Sequence, residues 1–329
     1  MPDELLDYVR SLPKAELHLH IEGTLEPELM FKLAQRNKIA LRFPSVEAVR
    51  AAYEFSDLQS FLDIYYEGAK VLRTEQDFHD LAMAYFERAH EDGVRHVEMF
   101  FDPQTHTERG IEMGTVVGGL DFARSQALKK YGISSGLILC FLRHLSEDDA
   151  LRTLKQAMPW RDKLLGVGLD SGEKGNPPAK FERVFAKARA EGLHAVAHAG
   201  EEGPAQNVRD ALDLLKAERI DHGVRCVEDP SLVKRLADAG VPLTMCPLSN
   251  VKLRVFDKLK DHNLPALLKA GVKATINSDD PAYFGGYVGR NYAETARALA
   301  LSKEELARLA RNSIEASFLP AAEKKRLSL

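Results

Sequence analysis

The chain has 329 residues, 45% hydrophobic and 29% charged, with a formal net charge of −4. That balance is globular rather than disordered, and the absence of a basic stripe argues against a nucleic-acid partner. No apolar run approaches the ~20 residues of a membrane span, and the opening "MPDELLDYVRSLPK" lacks the apolar core of a signal peptide; no membrane association and a cytoplasmic location are expected.

Cys140, Cys226 and Cys246 are scattered and odd in number, which speaks against a disulfide framework or a Cys-rich metal knuckle. Along the chain, short β-rich runs recur, each followed by a helical stretch. The runs are "KAELHLH" (14–20), "VRHVEMFF" (94–101), "GLILCFL" (136–142), "LLGVGLD" (164–170), "LHAVAHA" (193–199), "RIDHG" (219–223), "VPLTMC" (241–246) and "VKATINS" (272–278). Most are apolar throughout, as strands buried on both faces should be.

The intervening segments carry helix punctuation. "EQDFHDLAMAYFERAHEDG" puts Phe78, Leu81, Ala82, Tyr85 and Phe86 on one stripe and ends at Gly93. "SEDDALRTLKQAM" opens on Ser146 with Asp149 three residues on, an N-cap pattern. "DPSLVKRLADAG" and "NLPALLKAG" repeat the grammar of helix, glycine, strand. Eight such alternations imply an α/β fold, a (β/α)₈ barrel of the TIM type, as one domain over 1–329. An open doubly wound sheet is the competitor, but no GxGxxG follows the first run. The long segment 24–92 is expected to add helices near the barrel mouth, and the tail from 302 to pack outside.

In such a barrel the chemistry gathers at the C-terminal strand ends. Four ends here carry ionisable groups: His18 and His20; His198 and Glu201; Asp221 and His222; Asp279 and Asp280. Strand residues two apart share a face, so His18 and His20 point inward together if Leu17 and Leu19 point out. Two imidazoles in a dry interior call for something that neutralises their lone pairs. With His198 and Asp279 the set is three nitrogens and one oxygen, suited to one zinc ion. Each piece has an ordinary reading: a structural histidine for His222, a helix cap for the aspartates before Pro281, a helix-dipole partner for Glu201 and Glu202. The conjunction at four strand ends outweighs them. His79, His90, His96, His106, His144, His194 and His262 stay with the ordinary reading.

The motifs "PKAELHLHIEGT", "HAGEE", "IDHG", "CPLSN" and "NSDDPAYF", in that order, resemble the adenosine/adenine deaminase family of metal-dependent hydrolases over about residues 11–315. The resemblance implies zinc held by His18, His20, His198 and Asp279. It implies Glu201 as proton donor to the purine ring and His222 as the histidine that orients or deprotonates the attacking water. Asp280 would meet the N7 edge. Where nucleoside-acting members carry an aspartate, this chain has Glu22, longer by a methylene, which is expected to reach into ribose space and favour a free base. "FFDPQTHTERG" and "SDDPAYFGGY" resemble the adenine deaminase branch, and Tyr283 and Phe284 could close over a flat base. The implied reaction is hydrolysis of adenine to hypoxanthine and ammonia, a purine-salvage step. Deamination of adenosine or an N6-substituted adenine is the alternative on the same site. A binuclear hydrolase would want a lysine at the fourth strand end, but Lys174 lies out in the loop. An inactive scaffold would have lost a site residue, and all are present. The oligomeric state is not readable from the chain.

Overall fold

The computed structural model describes residues 4–327, so the ends of the expected 1–329 span lie outside the described residues. Eight parallel strands follow one another around the sheet in chain order, β1 to β8. They are β1 Lys14–Glu16, β2 Val94–Phe101, β3 Ser134–Leu142, β4 Leu164–Asp170, β5 His194–Ala199, β6 Arg219–His222, β7 Pro242–Met245 and β8 Lys273–Ile276. Each expected run contains a strand. The first is the exception in extent: regular pairing stops at Glu16, short of the histidines. Beyond it the backbone is still pinned on both sides. Phe100 N donates to Leu19 O at 2.8 Å, and His20 N to Asp279 O at 3.0 Å. This second contact joins the first strand region to the last and nearly closes the barrel.

Alternation along the strands divides two apolar clusters. Leu137, Leu139 and Phe141 face the surrounding helices in the large outer core, while Phe100, Ile138, Cys140 and Val196 form a small inner cluster with Phe318 packed against it. Leu19 joins the outer core, so His18 and His20 point inward, as the alternation requires.

The helices begin and end where the capping residues dictate. Thr74 and Asp77 form a capping box on Glu75–Glu91, Ser146 and Asp149 one on Glu147–Ala157. Gly240, at φ 65°, closes Pro230–Ala239. Segment 24–92 contributes Pro27–Asn37, Val46–Ala51, Leu58–Ala69 and Glu75–Glu91. The third of these covers the mouth, bringing Leu58, Phe61, Leu62 and Tyr65 to the cavity wall. The penultimate helix, Lys303–Ala316, packs on β8 and β1. No helix among the described residues is long and apolar enough to cross a membrane.

The floor of the barrel is ionic. Arg219 on β6 donates to Glu98 on β2 at 2.5 Å, and both side chains are fully buried. Phe318 N also donates to Glu98. Burial pushes the Glu98 carboxyl up, but Arg219 and His96 outweigh it and hold it at about 2. Since this lies below the unfolded value of ~4.3, the pair stabilises the fold above that pH and ceases to as pH falls toward 2. Glu98→Ala leaves Arg219 buried without its partner. Its unfolding free energy, measured by urea titration, should fall by about 3–5 kcal/mol, and Glu98→Met/Arg219→Met should recover most of the loss.

Candidate active site

Four polar groups meet inside the barrel at the C-terminal strand ends. His20 Nε2 lies 3.1 Å from His198 Nε2. Asp279 Oδ1 lies 3.3 Å from His18 Nε2 and 3.5 Å from His20 Nε2. All four side chains are buried. Each Nδ1 turns away toward an acceptor: the Thr244 carbonyl at 3.1 Å for His18, Asp170 at 3.5 Å for His20, Asp221 at 3.4 Å for His198. Those acceptors place the ring protons on Nδ1 and leave three Nε2 lone pairs converging on one carboxylate oxygen.

Such an arrangement is repulsive without a cation. His18 Nε2 has no hydrogen-bond partner. Ligand atoms ~2.0–2.1 Å from a tetrahedral zinc-sized ion lie roughly 3.3–3.4 Å apart, and the observed separations of 3.1–3.5 Å bracket that value. The residues fit a divalent metal. Asp279 is further held by Ser249 Oγ, which donates to Oδ2 at 2.6 Å. Its backbone and that of His222 adopt left-handed conformations, φ 64° and 61°, which non-glycine residues take up at a cost when a site demands it.

Around this centre stand the other expected groups. Glu201 Oε1 faces His222 Nε2 at 3.6 Å and has no hydrogen-bond partner. Burial, followed by the negative charges of Asp279, Glu202 and Glu173, pushes its carboxyl well above the usual range, which favours the protonated form. Asp280 is likewise pushed well up, by burial and then by Asp279. It does not cap the helix Pro281–Phe284 that follows it; its Oδ1 is unpartnered and it lines the cavity. A Cβ at Gly23 would come within 1.9 Å of that oxygen, so "HIEGT" needs its glycine for Asp280 to fit.

His222 is oriented by a chain that starts at a backbone donor. Leu264 N–H donates to His262 Nδ1 at 3.1 Å, which leaves the His262 proton on Nε2. That proton goes to Asn250 Oδ1 at 3.2 Å, and Asn250 Nδ2 donates to His222 Nδ1 at 3.3 Å. The neutral His222 ring therefore carries its hydrogen on Nε2, the atom facing Glu201 and, at 3.8 Å, Asp279.

Glu22 does not line the cavity. Its Oε1 accepts from Asp102 N at 3.1 Å and from His106 Nε2 at 2.8 Å. Burial pushes its carboxyl up to about 7. The expected reach into ribose space is not what the structure places there; Asp102 and Asp170 stand at the wall instead. Tyr283, also expected over the base, packs among Tyr53, Phe61 and Tyr65, while Phe284 does line the cavity. The cavity has Phe61, Tyr65, Tyr66 and Leu253 among its apolar walls.

A barrel of this topology, with three imidazoles and a carboxylate poised for a metal at its catalytic end, defines a metal-dependent hydrolase. More narrowly, the chain belongs to the adenosine deaminase family, whose sequence model matches residues 13–328. It is 64% identical to the adenine deaminase of Cupriavidus necator over 97% of this chain and 91% of that protein. Its fold superposes on the crystal structure of adenine deaminase from Arthrobacter aurescens with a TM-score of 0.95, 53% identity and 97% coverage of each chain. An amidohydrolase from Burkholderia ambifaria with bound zinc matches with a TM-score of 0.90 at 26% identity, covering 99% of this chain and 91% of that one.

Reading the sequence missed the supports. Glu173, in the loop after β4, accepts Gly200 N at 2.8 Å, Glu201 N at 3.1 Å, Glu202 N at 3.0 Å, Gly203 N at 2.7 Å and Asn207 Nδ2 at 2.8 Å. One buried carboxylate thus gathers the loop that carries Glu201. Nothing in "GLDSGEKG" marks it, because the partners lie about 30 residues away. In Glu173→Ala, amide exchange of residues 200–203 should speed up at least tenfold by mass spectrometry, while β2 and β3 stay protected.

Proposed function

We propose that this protein is an adenine aminohydrolase: adenine and water give hypoxanthine and ammonia, in cytoplasmic purine salvage. The observation that carries the reading is the buried Glu201, its Oε1 without a hydrogen-bond partner, facing His222 beside the four-group centre. Similarity to proteins named adenine deaminase over nearly the whole chain supports the substrate. His18, His20, His198 and Asp279 would hold one zinc ion. When bound, that ion supplies the Lewis acidity that makes water a nucleophile at neutral pH.

The chain's own residues do the rest. Glu201, protonated in its dry setting, donates to N1 as water adds to C6, so that charge does not build up on the ring. It then takes one proton of the added water and passes it to the exocyclic nitrogen, and as ammonia leaves it takes the second, which restores its own proton and leaves the C6 carbonyl. His222 Nε2–H is a hydrogen-bond donor in its held tautomer, so its role is to orient the attacking oxygen rather than to remove its proton. Asp280 meets the N7 edge. Glu22 acts through Asp102, whose backbone N–H it accepts. Leu58, Phe61 and Phe284 keep solvent from the reacting face. The chain is read as a single barrel domain, and its three free, buried cysteines suit a reducing compartment.

Ultraviolet assays of adenine and adenosine side by side test the substrate. A kcat/KM for adenine at least ~100-fold higher is expected; the reverse order would make the enzyme a nucleoside deaminase. Glu201→Gln should lose about 10²–10⁴-fold in kcat while retaining one equivalent of zinc by elemental analysis. His18→Ala should lose the metal itself.

A further inference from the structure

Two carboxyl groups in the cavity are given no contact with the substrate in the chemistry above. Asp102 follows β2, and Asp170 ends β4. Both are 2% exposed, and both line the cavity. Asp102 is fixed from behind: its N–H is accepted by Glu22, and its Oδ2 accepts Tyr65 OH at 3.1 Å. Its Oδ1 has no partner, and Asp170, whose Oδ2 faces His20 Nδ1 at 3.5 Å, leaves its Oδ1 without one. One oxygen from each lies within 4.8 Å of the other and of a His20 nitrogen. Two unpartnered, buried carboxyl oxygens at the wall of the pocket are costly in the empty protein, and a ligand with matching hydrogens offsets that cost.

We propose that Asp102 and Asp170 are the specificity-determining residues that read the N9–H/N3 edge of a free purine base, and that they exclude a nucleoside by occupying the space its sugar would need. This rests on the purine reading above. With C6 at the metal centre, N1 at Glu201 and N7 toward Asp280, the edge left over carries a donor, N9–H, beside an acceptor, N3. A carboxylate accepts the first. Asp102 Oδ1, buried at the cavity wall without a partner, is the acceptor that meets N9–H. A nucleoside has no hydrogen on N9, so it would leave a carboxylate buried and unanswered besides meeting it sterically. Sites built to bind an N–H reject the analogue lacking it far more strongly than apolar pockets reject an extra methylene. The base selectivity expected of Glu22 thereby passes to the residue it supports.

The test pairs adenine with 9-methyladenine, which keeps every other ring atom. The wild type should prefer adenine by at least ~10³ in kcat/KM. Asp102→Asn keeps the size and the Tyr65 contact but turns a donor or a neutral acceptor toward N9. It should shrink that preference at least ~30-fold, because the variant loses on adenine what 9-methyladenine never had, and Asp170→Asn should act in the same direction. Parallel losses on both substrates would overturn the proposal, reducing the pair to supports of His20. So would a second equivalent of zinc in the wild type that is absent from Asp102→Asn, since these groups would then be cation ligands. Should the variants fail to fold, comparable wild-type turnover of adenine and 9-methyladenine overturns it alone. If the wild type instead prefers adenosine to adenine, it is the function reading that fails.

Discussion

Three imidazole nitrogens and one carboxylate oxygen, gathered within 4.8 Å of one another with contacts of 3.1–3.5 Å in the dry end of a barrel, set the terms for the rest of this structure. Lone pairs cannot be stacked this way in a low-dielectric interior unless a cation joins them. The fold therefore has to hold each ring from behind. Thr244, Asp170 and Asp221 stand at the three Nδ1 atoms, Ser249 fixes the carboxylate, and Thr244 itself donates to Asp221 at 2.8 Å. Backbone strain at His222 and Asp279 is part of the same cost, sustained by the packed strands around them.

Charge then spreads outward in an ordered way. The interior carries Glu201, Asp280, Asp102, Asp170 and Glu22 with few cations to match them. Burial comes first in raising every one of these carboxyls, and neighbouring acids add to it for Asp102, up to about 6, and for Asp170, well above its usual range. Acids whose protonated form is favoured by burial can donate as well as accept, which suits a heterocycle with both kinds of edge. Arg143 tempers the group from one side, donating to the His198 carbonyl at 2.7 Å. At the opposite end of the barrel the Glu98–Arg219 pair satisfies its own charges. The floor stabilises and the mouth is left reactive, a division built into the direction of parallel strands.

Much of this was legible one residue at a time. The run of 94–101 reads as a strand and is one, and so is 164–170, because both are short and rich in apolar residues. Ser146, Asp229 and Gly240 mark helix ends for local steric and hydrogen-bonding reasons that need no tertiary context. The inward direction of His18 and His20 follows from the period of an extended chain, even though regular strand pairing ends before them. His106 and His262 were passed over as ordinary histidines. Their partners, Glu22 and Asn250, lie 84 and 12 residues away, and spacing cannot reveal a contact of that kind.

Glu22 shows where local reading stops. One extra methylene suggested reach into the pocket, but the side chain turns to Asp102 and His106 because two donors wait there. The sequence by itself determined the barrel, the order of its elements and the chemical types gathered at its strand ends, since periodicity and capping are properties of the local chain. Tertiary structure decided which nitrogen of each ring faces the centre, which acid is left unpartnered, and which loop is anchored by Glu173. Those outcomes depend on close approaches between groups distant in sequence, where an ångström or a rotamer separates a binding group from a support.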